Sequence, residues 1–227
     1  MQTLIIVAHP ELARSNTQPF FKAAIENFSN VTWHPLVADF NVEQEQSLLL
    51  QNDRIILEFP LYWYSAPALL KQWMDTVMTT KFATGHQYAL EGKELGIVVS
   101  TGDNGNAFQA GAAEKFTISE LMRPFEAFAN KTKMMYLPIL AVHQFLYLEP
   151  DAQQRLLVAY QQYTTNVGGG HFKDQAAWFE AELQKRIDQH PSHSEQLQQI
   201  LFTIKERQDE LDDLQWNLIE MKKEEDV

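Results

Sequence analysis

Short apolar runs alternate with amphipathic stretches along most of this chain. Residues 3–8 (Thr-Leu-Ile-Ile-Val-Ala) are β-branched or aliphatic on both faces, as in a central strand of a parallel sheet. Residues 31–37, 54–59, 93–100 and 133–139 repeat the pattern, so five strands are expected. Between them lie helical patterns. One opens at Ser15-Asn16-Thr17 and carries Phe20, Phe21, Ala24, Ile25 and Phe28. Another, over 67–79, aligns Leu69, Leu70, Trp73, Met74 and Val77 on one face behind Pro67, which is well placed at a helix start. Further helices are expected over 43–50, 118–129 and 151–164. Strand and helix alternating at this spacing imply an α/β fold, a parallel sheet covered on both faces with right-handed crossovers.

The pattern changes at Gly168-Gly169-Gly170, a hinge or tight turn. A helix over 174–190 then carries Trp178, Phe179, Leu183 and Ile187, and His190-Pro191-Ser192-His193 breaks it. Beyond the break runs a heptad pattern: Leu197, Ile204, Leu211 and Leu218 in one column, Ile200, Arg207, Leu214 and Met221 in the other. Such a helix either pairs with another, as an antiparallel hairpin or coiled coil, or packs back on its own domain. The expected division is a sheet domain over 1–167 and a helical extension over 168–227.

Composition narrows the function. A 227-residue chain with 45% hydrophobic residues has enough apolar side chains for a buried core. Its net charge of -12 disfavours nucleic acid and anionic lipid as partners. The absence of cysteine removes disulfides, thiolate metal sites and cysteine nucleophiles, and the seven histidines have no recognised ligand spacing. No signal-peptide pattern or span of roughly 18 apolar residues is present, which leads to the expectation of a cytoplasmic protein without direct membrane insertion.

Three loops gather at the carboxyl edge of the expected sheet, where open α/β sheets bind ligands. After the first strand, Ser15, Asn16 and Thr17 open a helix, with His9 and Arg14 nearby. This is either an anion site or a plain cap by Ser15. After the third strand comes Pro60-Leu61-Tyr62-Trp63-Tyr64-Ser65, three adjacent aromatics in a loop, suited to a flat ligand or to closing a core or interface. After the fourth, Ser100-Thr101-Gly102-Asp103-Asn104-Gly105 is either a plain turn or a place where backbone N–H groups approach a ligand. The G-x-G-x-x-G, G-x-x-x-x-G-K and G-x-S-x-G patterns are all missing, which disfavours a Rossmann unit, a P-loop and a hydrolase elbow. Jointly the three loops suit a phosphorylated, flat heteroaromatic molecule, and a flavin fits best.

Several motifs resemble the flavodoxin-like NAD(P)H:quinone oxidoreductases. They are Ala8-His9-Pro10 with Ser15 following, the run Pro60-Leu61-Tyr62-Trp63-Tyr64-Ser65-Ala66-Pro67-Ala68-Leu69-Leu70-Lys71-Gln72-Trp73-Met74-Asp75, and Gly85-His86 ahead of Leu90-Glu91-Gly92-Lys93. The resemblance is strongest to the small bacterial branch that includes the ancillary subunit of glutathione-gated potassium-efflux systems. It implies a flavodoxin-like three-layer sandwich with strand order 2-1-3-4-5, a homodimer, and FMN rather than FAD. His9, Ser15 and Gln18 would hold the phosphate, Leu61 to Tyr64 would line the ring, and Ser100 to Asp103 would bond its polar edge. It also implies ping-pong hydride transfer from NADPH or NADH to a quinone. Two rival readings go with it: a regulatory subunit of a membrane transporter that docks a protein partner through the C-terminal helices, and a flavodoxin-type electron carrier. This chain departs from the family at Ser100 and Asp103, where Thr and Gly are common, and at Gln18, where Asn is usual. A tyrosine used by mammalian relatives is here Phe108. No catalytic side chain is assigned, and His143 is a candidate for proton delivery.

Overall fold

In the computed structural model, residues 1–86, 88–168, 172–189 and 194–225 are described. They form two compact units, Met1–Thr165 and Asn166–Val227. The first contains β1 (Thr3–Val7), α1 (Thr17–Ile25), β2 (Val31–Pro35), α2 (Val42–Gln51), β3 (Arg54–Pro60), α3 (Ala68–Val77), α4 (Thr80–Ala83), β4 (Glu94–Thr101), α5 (Ile118–Leu121), α6 (Arg123–Thr132), β5 (Met135–Tyr136), β6 (Leu140–His143) and α7 (Pro150–Thr165). The second contains α8 (Phe172–Gln189) and α9 (Ser194–Glu225). Gly169, Gly170 and the break at residues 190–193 lie outside the described residues.

All strand pairs are parallel, in the order β2-β1-β3-β4-β5, with β6 also paired to β4. β1 and β3 are buried along their whole lengths. Side chains alternate between two cores. Leu4, Ile6, Leu57, Phe59, Ile97 and Val99 pack with Leu70, Trp73 and Phe125 of the helices on one side. Ile5, Val7, Ile56 and Val98 pack with Phe21, Ile25 and Tyr160 of α1 and α7 on the other. The result is the flavodoxin-like three-layer arrangement.

Two expected elements are divided, each by a proline. The strand expected over 133–139 is two short strands on either side of Leu137-Pro138-Ile139. Pro138 has no N–H to give to a ladder. One more residue is spent on its side than on β4, since Leu95 faces Tyr136 but Val98 faces Leu140. The Ile97 N–H donates to the Tyr163 hydroxyl at 2.9 Å. Position 96 must stay glycine for this, because a Cβ there would lie 2.7 Å from that hydroxyl. The helix expected over 118–129 breaks at Met122, and α6 restarts with Pro124 in its first turn. Thr117 and Glu120 cap α5 reciprocally.

In the second unit, Leu183 and Ile187 of α8 bury against Leu201 of α9, with Leu197 and Ile204 packed around them. The later heptad positions Leu211, Leu214, Leu218 and Met221 are 40–61% exposed. Only the first part of the heptad pattern is spent on the α8–α9 contact.

Two buried carboxyls behave oppositely. Burial pushes Glu45 up, but bonds from His34 and from Trp73 (2.9 Å) outweigh it and hold the group below its ordinary value. Glu58, fully buried in β3, accepts only the Tyr160 hydroxyl at 2.6 Å. Its Oε1 has no partner among the described residues, and the nearby Trp33 indole N–H completes no hydrogen bond. Burial therefore pushes Glu58 from 4.5 up to about 7, despite the opposing pull of Tyr160 and Trp33. A folded-state pKa above the unfolded one favours the native state at low pH, and that advantage is lost as pH rises through about 7. Stability should fall by about 3 kcal/mol between pH 4.5 and 7 from this group alone. Glu58→Gln should flatten the fall, as read by urea unfolding at pH 5 and pH 8.

Candidate functional site

The chain leaves β1 with the Ala8 N–H donating to the Glu58 carbonyl (2.9 Å), which sets His9 at the sheet's carboxyl edge. His9 Nδ1 accepts the Glu11 N–H at 3.1 Å, so the neutral ring carries its proton on Nε2. Burial holds His9 below its ordinary value, against the Glu11 bond and charge, so the neutral form prevails near pH 7. After a short 3₁₀ turn, Ser15 precedes α1, and its Oγ accepts the Gln18 N–H at 3.2 Å while its hydroxyl donates to the Gln18 side-chain oxygen. Ser15 thus caps one N–H of the first turn of α1, although Asn16, next to the helix, makes no side-chain cap bond; the first N–H groups of a helix have no partner within it. Arg14 is exposed and pairs with Glu11 at 2.8 Å.

The aromatic loop after β3 is a tight hairpin closed by Tyr62 N–H to Ser65 O (2.9 Å) and Ser65 N–H to Tyr62 O (3.0 Å). Its two central residues, Trp63 (φ 49) and Tyr64 (φ 62), are both left-handed, a conformation that usually selects Asn or Gly. Non-glycine residues pay about 1–2 kcal/mol each for it. The turn directs Trp63 away from the protein, 93% exposed, and sends the Tyr64 hydroxyl to Glu114 Oε2 at 2.8 Å. That bond, with the Glu114 charge, raises the Tyr64 pKa. Tyr62 turns inward.

The loop after β4 begins with an Asp103 N–H to Thr101 Oγ1 bond of 3.0 Å. β6 runs alongside as far as Thr101 opposite His143, and the Gln144 N–H reaches the Thr101 carbonyl at 2.9 Å. Gln144 is left-handed (φ 46) and starts a fourth loop, Gln144-Phe145-Leu146-Tyr147.

These four loops enclose a cleft of about 270 Å³. His9, Ser15, Asn16, Thr17, Gln18, Pro60, Leu61, Tyr62, Ser100, Thr101 and Gly102 all line it, as do Arg14 and the fourth loop. Trp63, Tyr64 and Asp103 do not. The strand pattern of the sequence ends at Ile139, short of the edge, so the fourth loop is not marked by it. Its aromatic run between a strand and a helix was the available signal. His143 also stands off the wall, with its ring 5.7 Å from Phe108 and so close to Gly105 that a Cβ there would lie 3.2 Å away. Burial holds His143 below its ordinary value, against a bond to the Asp103 backbone, and Nδ1 has no partner among the described residues. Among the described residues, no cluster of histidines and carboxylates could hold a metal. The cleft is lined both by hydroxyl and amide side chains at a helix start and by apolar and aromatic side chains, a fit for an anionic group carrying a flat ring.

A family model for the flavodoxin-like fold, Flavodoxin_2, matches residues 1–167. The chain belongs to this family. A solved structure titled an NADPH-quinone reductase from P. pentosaceus is 99% identical, covering 74% of this chain and 100% of its own, with a TM-score of 0.73. Bacillus subtilis (strain 168) has a relative named uncharacterized NAD(P)H oxidoreductase YrkL. It is 41% identical over 157 residues, 66% of this chain and 90% of the relative. General stress protein 14 of Treponema denticola, solved in complex with FMN, is 30% identical over 72% of this chain and 95% of its own, with a TM-score of 0.64. Every cleft residue of this flavodoxin-like chain falls inside the matched segment, while α8 and α9 fall beyond it.

An NMR titration of the His143 ring should give a midpoint below 6.5, and Phe108→Ala, by uncovering the ring, should raise it toward 6.5.

Proposed function

We propose that this chain is an FMN-dependent NAD(P)H oxidoreductase that reduces quinones or similar electrophilic aromatics. The observation that carries the reading is the mixed lining of the four-loop cleft, a helix start with hydroxyls together with apolar and aromatic side chains, in a unit 99% identical over its matched length to an NADPH-quinone reductase. The donor set fits FMN: a helix N-terminus with hydroxyls suits a phosphate, and a slot walled by Leu61, Tyr62 and Phe145 suits a planar ring. When bound, FMN supplies a ring that accepts a hydride from a nicotinamide and passes two electrons to an acceptor.

In this reading the first turn of α1, with Ser15, Asn16 and Thr17, holds the phosphate, and His9 adds its Nε2–H. Gln18 is buried, and its carbonyl is taken by Ser15, so its amide N–H₂ is the free donor. Pro60, Leu61 and Tyr62 flank the ring. Ser100, Thr101 and Gly102 present backbone groups to its polar edge, with Asp103 one residue behind. Trp63 and Tyr64 stand at the mouth, where they would cover the nicotinamide or quinone rather than the flavin itself. His143, packed on Gly105, holds the loop after β4 in place, and the proton for the reduced acceptor comes from solvent. FAD would present the same ring to the same walls, and FMN is preferred because a relative carries it.

We propose further that the flavodoxin-like unit forms a homodimer in the cytoplasm, and that 168–227 is a separate domain devoted to protein association. The exposed rim of Trp63, Tyr64 and Phe116 supports the dimer, being apolar surface beside the cleft. No helix among the described residues is long and apolar enough to cross a membrane.

The test is the visible spectrum of the purified protein during anaerobic addition of NADPH and then NADH. A yellow protein that bleaches and recovers its colour on adding a quinone is the expected result. A flavin that stays oxidised would favour the carrier or regulatory readings. Failure to take up FMN or FAD would sink the site. Gln18→Met, which removes the free amide donor, should weaken FMN binding about tenfold, one hydrogen bond to a charged group. Trp63→Ala should leave FMN binding within about twofold and raise the KM for the quinone.

A further inference from the structure

One guanidinium stands in the wall of the four-loop cleft. We infer that Arg14 supplies the counter-charge by which the cleft takes a phosphorylated flavin in preference to the same ring without phosphate. This role rests on the FMN reading of the cleft and names the residue that makes the phosphate count.

Among the described residues that line the cleft, Arg14 is the one Lys or Arg, and there is no Asp or Glu. His9 lines it too, but burial holds its ring neutral near pH 7. Gln18 is 2% exposed, lines the same wall, and keeps its amide N–H₂ free while the Ser15 hydroxyl donates to its side-chain oxygen. A buried amide donor of this kind, facing a cleft, marks a place for an acceptor.

The charges do not balance without Arg14. A phosphate monoester carries close to two negative charges near pH 7. The start of α1 offers about half a positive charge, and Ser15 Oγ already accepts the Gln18 N–H of its first turn at 3.2 Å. Hydroxyls, amides and a neutral imidazole add hydrogen bonds but no charge. The chain as a whole, at a net charge of -12, adds repulsion. Arg14 removes most of that deficit in one residue, and its planar fork matches phosphate oxygens in pairs.

Glu11 places the guanidinium. The short turn Leu12–Arg14 brings the Arg14 N–H to the Glu11 carbonyl at 2.9 Å, and Arg14 Nη1 donates to Glu11 Oε2 at 2.8 Å. Glu11 also gives its own N–H to His9 Nδ1, so one residue ties both side chains of the cleft wall. Its pair with Arg14 is a weak hold, with the two side chains 83% and 61% exposed. That bond uses one of the five N–H groups of the guanidinium, which leaves donors for a phosphate.

Equilibrium binding of FMN and of riboflavin to the full chain, freed of flavin and followed by flavin fluorescence, separates the two parts of the ligand. Arg14→Gln should weaken FMN binding about tenfold at low salt and leave riboflavin binding within about twofold. Lys22→Gln makes the same change in net charge on α1, but its ammonium lies over the Trp33 ring, 5.2 Å from the centroid, and does not line the cleft. It should leave the binding of both flavins within about twofold. Three results would overturn the role: undiminished FMN binding in Arg14→Gln, equal losses of FMN and riboflavin, or the same FMN loss in Lys22→Gln. A native chain that takes up neither flavin would instead sink the FMN reading itself, and the role of Arg14 with it.

Discussion

Everything at the candidate site depends on one property of a parallel sheet: its strands all leave by the same edge. The ladder continues past the strand ends through Ala8 N–H to Glu58 O, Leu61 N–H to Ser100 O and Gln144 N–H to Thr101 O, at 2.7–2.9 Å. Each bond fixes the first residue of a loop at the height of its neighbour. His9, Leu61, Thr101 and Gln144 therefore come together without any direct bond between their side chains. The two cores beneath, each built from alternate residues of the same strands, hold that edge in place.

Such a rigid edge can carry local strain. Trp63, Tyr64 and Gln144 all adopt left-handed backbone around the cleft, each at a cost of about 1–2 kcal/mol. The Tyr62–Ser65 hydrogen bonds and the Gln144–Thr101 bond keep them there. Strained residues of this kind gather where a scaffold presents groups to a ligand. Glu58 adds a second unfavourable feature under the same edge, a buried carboxyl with one free oxygen. The sheet's apolar burial is what offsets these terms.

The helical unit follows a different logic. It has no sheet to order it, and its small core of Leu183, Ile187 and Leu201 ties only the first part of α9. The remaining stripe is legible as a coiled-coil pattern, and from Leu214 onward its residues are 57–61% exposed. A sequence periodicity states that a helix has a partner; it does not state which one.

The sequence by itself determined the α/β class, the three loops and their chemistry, because hydrophobic period and turn residues are local properties; the strand order followed only from the family that the motif run resembles. It also carried Ser15 as a cap and most residues of the cleft wall. The tertiary structure alone decided three things. Pro138 divided the last strand, and the resumed β6 brought Gln144, Phe145, Leu146 and Tyr147 to the edge, since ladder pairing with β4 extends beyond the residues whose own pattern reads as strand. The left-handed turn at Trp63 and Tyr64 sent those rings outward, because backbone handedness, not apolar character, sets where a loop side chain points. Burial without a full set of donors raised Glu58 while leaving Glu45 low, since a carboxyl's charge follows the partners that distant segments bring to it.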